Sequence, residues 1–260
     1  MNPFTLRRGR APLLISLPHD GAFIPPALAA RMQPAARGAP DTDWWMSKLY
    51  GPIADSLDAS LIVPTHSRYV VDLNRSPDDA SLYPGQNTTG LCPAMRFSGG
   101  PVYLDGEAPN ASEVAARVER YWRPYHEALA AELRRLRGLH GRVLLWEGHS
   151  IASRLPFLFE GELPELNLGT VEGRSCRPAT RAALQVALAA QSAFSAVLDG
   201  RFKGGYITRH YGRPAEGVEA VQLETAQRAY MHEPGGVFEP ARAAPLQRQV
   251  QALIEAALAA

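Results

Sequence analysis

The chain has 260 residues, of which 46% are hydrophobic, and its formal net charge at pH 7 is +1. This length and apolar content suffice for a full buried core, and the near-neutral charge gives no reason to expect a nucleic acid or an anionic membrane as partner. No apolar run reaches the ~20 residues of a membrane-spanning helix, and no signal-peptide core follows the basic N-terminal residues. We therefore expect a cytoplasmic protein in which Cys92 and Cys176 are reduced structural thiols.

Short apolar segments bounded by glycine and proline alternate with helical patterns along the chain. In chain order, the pattern predicts a strand over 11–17, a helix over 45–57, strands over 61–63 and 69–73, a long loop over 76–106, a helix over 112–137, a strand over 143–146, an irregular stretch over 151–178, a helix over 179–197, a strand over 218–224 and a helix over 250–260. Asp41 or Asp43 is well placed to cap the first helix, and Pro124 should kink or divide the long one. We expect one three-layer α/β/α domain over residues 1–260, with a mixed central sheet.

Polar clusters follow three of the predicted strands. His19 lies in a Pro-His-Asp-Gly turn after the first strand, His149 ends the strand that begins at Val143, and Glu224 ends the strand that begins at Val218. Ligands of open α/β sheets collect outside the carboxyl ends of the strands, so these side chains could converge on one point. Histidines and a carboxylate can hold a catalytic zinc, and a further glutamate can activate its water. The pattern therefore predicts a metal-assisted hydrolase.

Seven blocks of sequence, spread over residues 11–232, give a more specific prediction. They are residues 18–21, 41–44, 67–75, 145–151, 166–170, 201–212 and 221–224, with Tyr230-Met231 shortly after the last. Together and in this order they resemble the N-formylglutamate amidohydrolase (N-formylglutamate deformylase) family. The resemblance implies zinc-dependent hydrolysis of N-formyl-L-glutamate to formate and L-glutamate, the last step of one route of histidine degradation. It also implies a fold and site similar to those of zinc carboxypeptidases (phosphorylase/hydrolase-like) and aspartoacylases.

The metal ligands implied by the resemblance are His19, His149 and an acidic residue just before the first long helix. Asp43 is the expected third ligand, and Asp41 is the competing choice. Glu147 lies two residues before His149, so both side chains point to the same side of an extended strand. Glu147 could therefore accept a hydrogen bond from the metal-bound imidazole or could itself be a ligand.

Substrate binding should require cationic groups, because N-formylglutamate carries two carboxylates. Asn74 and Arg75 follow a predicted strand and are the first choice, since the planar arginine fork suits bidentate carboxylate binding. Arg209 is the second choice and Arg68 the third, and either could instead polarise the formyl oxygen. His210 is a further candidate donor to the oxyanion.

The expected general base is Glu224, which can take a proton from the activated water and return it to the leaving nitrogen. The expected cofactor is one zinc ion, although iron, cobalt and manganese accept similar ligands. Two other hypotheses stay open: a hydrolase of another N-acyl amino acid, like aspartoacylases or desuccinylases, and a catalytically silent binding protein for acidic amino acids. A binding protein needs no general base, which favours an enzyme. The sequence leaves the oligomeric state open.

Overall fold

A mixed β-sheet forms the framework of the computed structural model, which describes residues 2–80, 89–233 and 236–260. The strands are β1 (Phe4–Arg7), β2 (Leu13–Ser16), β3 (Ser60–Pro64), β4 (Val143–Ile151), β5 (Leu166–Gly169), β6 (Ala196–Leu198), β7 (Val218–Ala226), β8 (Met231–His232) and β9 (Val237–Phe238). In the described residues the main sheet has seven strands in the order β1-β3-β2-β4-β7-β5-β6, while β8 and β9 pair separately. The four central strands β3, β2, β4 and β7 are parallel, and β1 and β5 run antiparallel to their inner neighbours.

Helices cover both faces of this sheet. They are α1 (Pro26–Ala29), α2 (Met46–Ser56), α3 (Ala111–Arg117), α4 (Arg123–His140), α5 (Pro178–Ala189), α6 (Tyr206–Tyr211) and α7 (Pro240–Ala259). Alternate residues of β2 enter different cores: Leu13 and Ile15 pack with α2, α5 and α7, whereas Leu14 packs with α4 and α6. The predicted three-layer α/β arrangement is confirmed. Among the helices of the described residues, none combines the length and apolarity needed to cross a membrane.

The long helix predicted over 112–137 is divided near its proline. A π-helical segment, Val118–Trp122, joins α3 to α4, and Pro124 lies in the first turn of α4. Proline has no N–H to donate and its ring collides with the preceding turn, so a wider helical turn just before it relieves both conflicts. The expectation that Pro124 interrupts the helix is confirmed.

Several element boundaries differ from the sequence prediction. The apolar run over 69–73 is buried but forms turns rather than a strand, and its Val70 carbonyl accepts a hydrogen bond from Arg117 Nη1 at 3.1 Å. The stretch over 151–178 contains β5, the helix predicted to reach 197 ends at Ala189, and the terminal helix begins at Pro240. Periodicity detects burial in such short segments but does not decide their backbone conformation. The long loop predicted over 76–106 lies partly outside the described residues, since 81–88 are not described.

Neither Asp41 nor Asp43 caps α2. The residue before this helix, Trp45, has left-handed backbone angles and makes no side-chain cap. Asp20 instead accepts hydrogen bonds from the backbone N–H groups of Met46 at 2.9 Å and Ser47 at 3.1 Å. The cap therefore comes from the turn that carries His19, which ties that turn to the start of α2.

Candidate metal centre and active site

The carboxyl ends of the parallel strands bring the predicted site residues together. His19 follows β2, and His149 of β4 lies beside Glu224 of β7 in the parallel register. Gly21 allows the His19 turn to pack closely, because a Cβ at this position would lie 2.4 Å from the carbonyl oxygen of His66. The convergence predicted from three separate strand ends is thus present in the structure.

Within the described part of the chain, one group of three side chains could hold a metal ion. It consists of His19, Asp43 and His149, whose ligand atoms all lie within 4.8 Å of one another. All three residues are buried, with 2–3% of their surface exposed. Asp43 is further held by the backbone N–H of Ser150, which donates to its Oδ2 at 3.1 Å.

A carboxylate fixes the outer nitrogen of each imidazole. His19 Nε2 lies 2.7 Å from Asp72 Oδ1, and His149 Nε2 lies 2.6 Å from Glu147 Oε1. Because a carboxylate only accepts hydrogen bonds, both Nε2 atoms carry protons and the two Nδ1 atoms face Asp43. His19 Nδ1 is buried, lies 3.7 Å from Asp43 Oδ2 and has no hydrogen-bond partner among the described residues. An unpartnered imidazole nitrogen beside a carboxylate is what a divalent metal site requires, so these residues fit such an ion.

The charge balance of this group also fits a cation. The pKa of His149 lies well above its usual value, since the attraction of Glu147 and Asp43 outweighs the effect of burial. Burial alone would raise the pKa of Asp43, but His19 and His149 hold it well below its usual range. In the metal-free protein the His149 proton therefore supplies positive charge that the buried carboxylates need, and a bound cation would take over this role.

The outer carboxylates are themselves anchored. Glu147 Oε2 accepts hydrogen bonds from both the backbone N–H and the hydroxyl of Thr208, the former at 3.0 Å. Asp72 accepts from Arg68 Nη2 at 2.7 Å and from the backbone N–H of Asn74 at 2.8 Å. The sequence reasoning placed Glu147 correctly in space but did not single out Asp72 or Thr208. The signal for Asp72 was a lone charge inside the apolar run over 69–73.

Asp41 and Asp43 have different surroundings. Asp41 Oδ2 accepts hydrogen bonds from the Tyr69 hydroxyl at 2.7 Å and from the backbone N–H of Phe97 at 2.8 Å. Burial raises the pKa of Asp41 despite these bonds. The structure therefore places Asp43, rather than Asp41, in the group that could hold a metal.

A cavity of about 110 Å³ opens onto this group. Its lining residues are His19, Asp43, Arg68, Asn74, Arg75, Thr89, Phe97, His149, Ser150, Ile151, Leu158, Arg201, Phe202, Gly205, Gln222 and Glu224. Burial raises the pKa of Glu224 to about 8, against an opposing effect of His149. A carboxylate with such a pKa can both accept and release a proton near neutrality.

The predicted substrate-binding residues divide into two groups. Arg68, Asn74 and Arg75 line the cavity, and Asn74 Nδ2 lies 3.1 Å from His149 Nε2. Arg209 and His210 are not among the described residues that line the cavity, and the predictions that Arg209 binds a substrate carboxylate or the formyl oxygen and that His210 donates to the oxyanion stay predictions. Thr208 of α6 donates to Glu147, and successive helical residues point about 100° apart, so Arg209 and His210 point in other directions than Thr208. Arg209 Nε donates to the Gly204 carbonyl at 2.9 Å, and the exposed His210 stacks on Tyr206.

Two other lining residues were missed by the sequence reasoning. Arg201 lies in the same sequence block as Arg209 but after β6, where it reaches the cavity. Gln222 lies two residues before Glu224 on β7 and accepts a hydrogen bond from the backbone N–H of Gly205 at 2.7 Å. The spacing of Gln222 and Glu224 in a strand could have indicated that both face the same side.

The fold and the site define an α/β protein with a buried histidine–aspartate–histidine group, suited to a divalent metal, at the carboxyl edge of its sheet. The sequence matches the N-formylglutamate amidohydrolase family over residues 11–231. The chain belongs to the N-formylglutamate amidohydrolase family, which confirms the resemblance seen in the sequence.

Individual relatives cover almost the whole chain. The chain is 51% identical over 229 residues to an N-formylglutamate deformylase of Pseudomonas aeruginosa, which covers 88% of this chain and 85% of the relative. It is 47% identical over 256 residues to an N-formylglutamate deformylase of Pseudomonas putida, with 98% and 95% covered.

Solved structures show the same fold. An N-formylglutamate amidohydrolase from Ralstonia eutropha JMP134 superposes with a TM-score of 0.81 at 27% identity, covering 98% of this chain and 97% of that one. A protein from Agrobacterium tumefaciens has a TM-score of 0.75 at 15% identity, with 100% and 96% covered, and shares the fold alone.

Proposed function

We propose that the protein is an N-formylglutamate deformylase that hydrolyses N-formyl-L-glutamate to formate and L-glutamate. The observation that carries the proposal is the identity of about one half, 51% and 47%, to two relatives of that name over most of the chain. The buried His19, Asp43 and His149 group supports a metal-dependent reaction.

We assign the metal to these three side chains, and zinc is the ion that suits two histidines and one carboxylate best. A zinc ion bound there would polarise the formyl carbonyl and lower the pKa of a bound water toward ~7. Asp72 and Glu147 keep the two Nδ1 atoms directed at the metal position, because each accepts the proton of the opposite ring nitrogen.

Glu224 is the proposed general base. Its carboxylate lines the cavity on the strand next to His149, and it takes a proton from the attacking water and delivers it to the amide nitrogen. Arg68 is held by Asp72 and lies 3.6 Å from Asp43, which keeps its guanidinium at the cavity wall, where it stabilises negative charge that develops on the formyl oxygen. The C–N bond then breaks, and formate and glutamate leave.

The α-carboxylate of the substrate is assigned to Asn74 and Arg75. Ile207 N–H donates to Asn74 Oδ1 at 2.8 Å, which fixes the amide and directs its NH₂ group toward the cluster. Arg75 Nε donates to the Thr89 carbonyl at 2.8 Å, so the guanidinium is held in place beside the cavity. Preorganised donors of this kind bind a carboxylate with less loss of side-chain entropy.

The test is formate release from N-formyl-L-glutamate by zinc-loaded protein, beside Glu224→Gln. We expect turnover by the native protein, a loss of kcat of at least about 10²-fold in the variant, and an unchanged zinc content in both. N-acetyl-L-aspartate and N-succinyl-L-glutamate serve as competing substrates. Preference for either would replace the assigned substrate with another N-acyl amino acid, and binding without turnover of any of them would support the silent binding protein instead.

A further inference from the structure

Among the described residues, three arginines line the cavity, but they are not equivalent. Arg68 is buried, and its charge is balanced by two carboxylates at the candidate metal site (His19, Asp43 and His149, here called the metal group). Its Nη2 lies 2.7 Å from Asp72 Oδ2, and its Nη1 lies 3.6 Å from Asp43 Oδ1. In the proposed mechanism the remaining N–H groups of Arg68 serve the formyl oxygen rather than a substrate carboxylate. A dianionic substrate therefore depends on the other two lining arginines, Arg75 and Arg201.

The chain positions of Arg75 and Arg201 assign them to different parts of the substrate. The backbone N–H of Arg75 donates to the carbonyl of Asp72 at 3.3 Å, and Asp72 accepts from His19, so this arginine belongs to the end of the cavity next to His19, Asp43 and His149. In N-formylglutamate the α-carboxylate is attached to the carbon that bears the formamide nitrogen. It must therefore lie close to the reacting carbon, which matches the position of Arg75.

Arg201 follows β6, which is two strands from β7 and three from β4 in the sheet, so it lines the cavity on the side away from His149. Its guanidinium lies over the rings of Phe159 and Phe202, with the carbon 5.1 Å and 5.8 Å from their centroids, and it donates to the Leu158 carbonyl. Stacking on aromatic rings holds the planar guanidinium in a fixed orientation at the cavity wall. Leu158, Phe202 and Ile151 are apolar lining residues of the same cavity, and they suit the two methylene groups between the α-carbon and the terminal carboxylate.

We propose that Arg201 determines the substrate specificity of the site by binding the side-chain carboxylate of the N-formyl amino acid. This inference rests on the proposed deformylase function and adds to it the residue that selects glutamate over uncharged amino acids. Because Arg201 is exposed and lies at the opening of the cavity, it acts on binding rather than on the chemical step.

The experiment measures kcat and KM for N-formyl-L-glutamate and its uncharged isostere N-formyl-L-glutamine. The proteins are the zinc-loaded native chain, Arg201→Gln and Arg201→Lys. The control is Lys203→Gln, which removes one positive charge from the same segment but affects a surface pair with Glu172 at 2.6 Å rather than the cavity. Thermal melting and zinc content confirm that each variant is folded and loaded.

We expect Arg201→Gln to lower kcat/KM for N-formyl-L-glutamate on the order of 10- to 100-fold, the range of one charge-assisted hydrogen bond, through KM. The value for N-formyl-L-glutamine should stay within about 3-fold, because no charge pair is lost with it. The kcat/KM of Arg201→Lys for N-formyl-L-glutamate should lie between those of the native protein and Arg201→Gln. Lys203→Gln should keep the native ratio of kcat/KM for the two substrates.

Two results would overturn the inference while leaving the deformylase function intact. One is an Arg201→Gln variant that loses activity equally on both substrates, which indicates a structural role. The other is a variant that keeps the native preference for the charged substrate. Absence of turnover of either substrate by the native protein would refute the deformylase function itself, and the inference with it.

Discussion

Replacing Asp72 with asparagine tests whether the carboxylate behind His19 prepares this histidine for a metal. Asp72 accepts the Nε2 proton of His19 at 2.7 Å and is fully buried. Its other oxygen accepts from Arg68 at 2.7 Å. An asparagine of the same shape has one acceptor oxygen, so either the histidine or the arginine would face an NH₂ group.

The expected cost follows from what the substitution removes. Loss of a carboxylate that orients a metal-binding histidine lowers metal affinity by about 10- to 100-fold, which corresponds to about 1.4–2.7 kcal/mol of binding free energy. Zinc affinity is measured by competition with a chromophoric chelator at fixed pH. The matched control is Asp41→Asn, since Asp41 is also buried and accepts two hydrogen bonds, but from Tyr69 and Phe97 rather than from a histidine.

The two variants should differ clearly in their zinc affinity. Asp41→Asn should change the zinc dissociation constant by less than about 3-fold, within the usual range for a residue outside the coordination network, even if it lowers the melting temperature. If Asp72→Asn binds zinc as tightly as the native protein, His19 does not depend on this carboxylate. An equal loss in both variants would mean that general destabilisation, rather than orientation of the imidazole, sets the affinity.

Three further predictions concern protons and packing. Because the pKa of His149 is raised in the metal-free protein, zinc binding near pH 7 should release about one proton, measured by calorimetry in buffers of different ionisation enthalpy; no buffer dependence would contradict this. Burial raises the pKa of Glu224 from 4.5 to about 8, so the folded metal-free protein holds a proton there that the unfolded chain releases above 4.5. The melting temperature of the metal-free protein should therefore fall as the pH rises from 4.5 to 8, and Glu224→Gln should make this fall smaller. An unchanged fall in the variant would mean that other groups cause the pH dependence. Gly21→Ala should destabilise by about 1–3 kcal/mol in urea unfolding, because its Cβ would lie 2.4 Å from the His66 carbonyl oxygen, while Gly38→Ala, with no atom within 4 Å, should cost little; equal effects would show that the turn relaxes.

Strand ends were the most predictable part of the site. His19, His149 and Glu224 each follow or end an apolar run, and parallel strands necessarily present such residues at one edge. Contacts between distant segments were harder to predict. Asp20, which follows β2, caps α2, and no local sequence spacing relates Asp20 to Met46.

The sequence singled out Arg209, whereas the described lining residues of the cavity include Arg201. Both arginines belong to one sequence block, but α6 has only 6 residues, too few for a hydrophobic period to reveal which face is buried. Thr208 donates to Glu147, whereas Arg209 Nε donates to the Gly204 carbonyl. The family resemblance implied a substrate with two carboxylates and hence a second cationic group, but the sequence did not show which arginine supplies it.

The arrangement of the metal group links folding to catalysis. The outer atoms of its members are bound by the protein: Asp72 holds His19, Glu147 holds His149, and Thr208 holds Glu147. The inner atoms of the two histidines and Asp43 face one another, and a buried, unpartnered His19 Nδ1 costs free energy in the metal-free state. The same contacts hold the candidate ligand atoms within 4.8 Å of one another, so less side-chain entropy is lost when a cation binds. A variant that releases an outer contact should therefore weaken metal binding, because the imidazole is no longer held in the orientation that the cation needs.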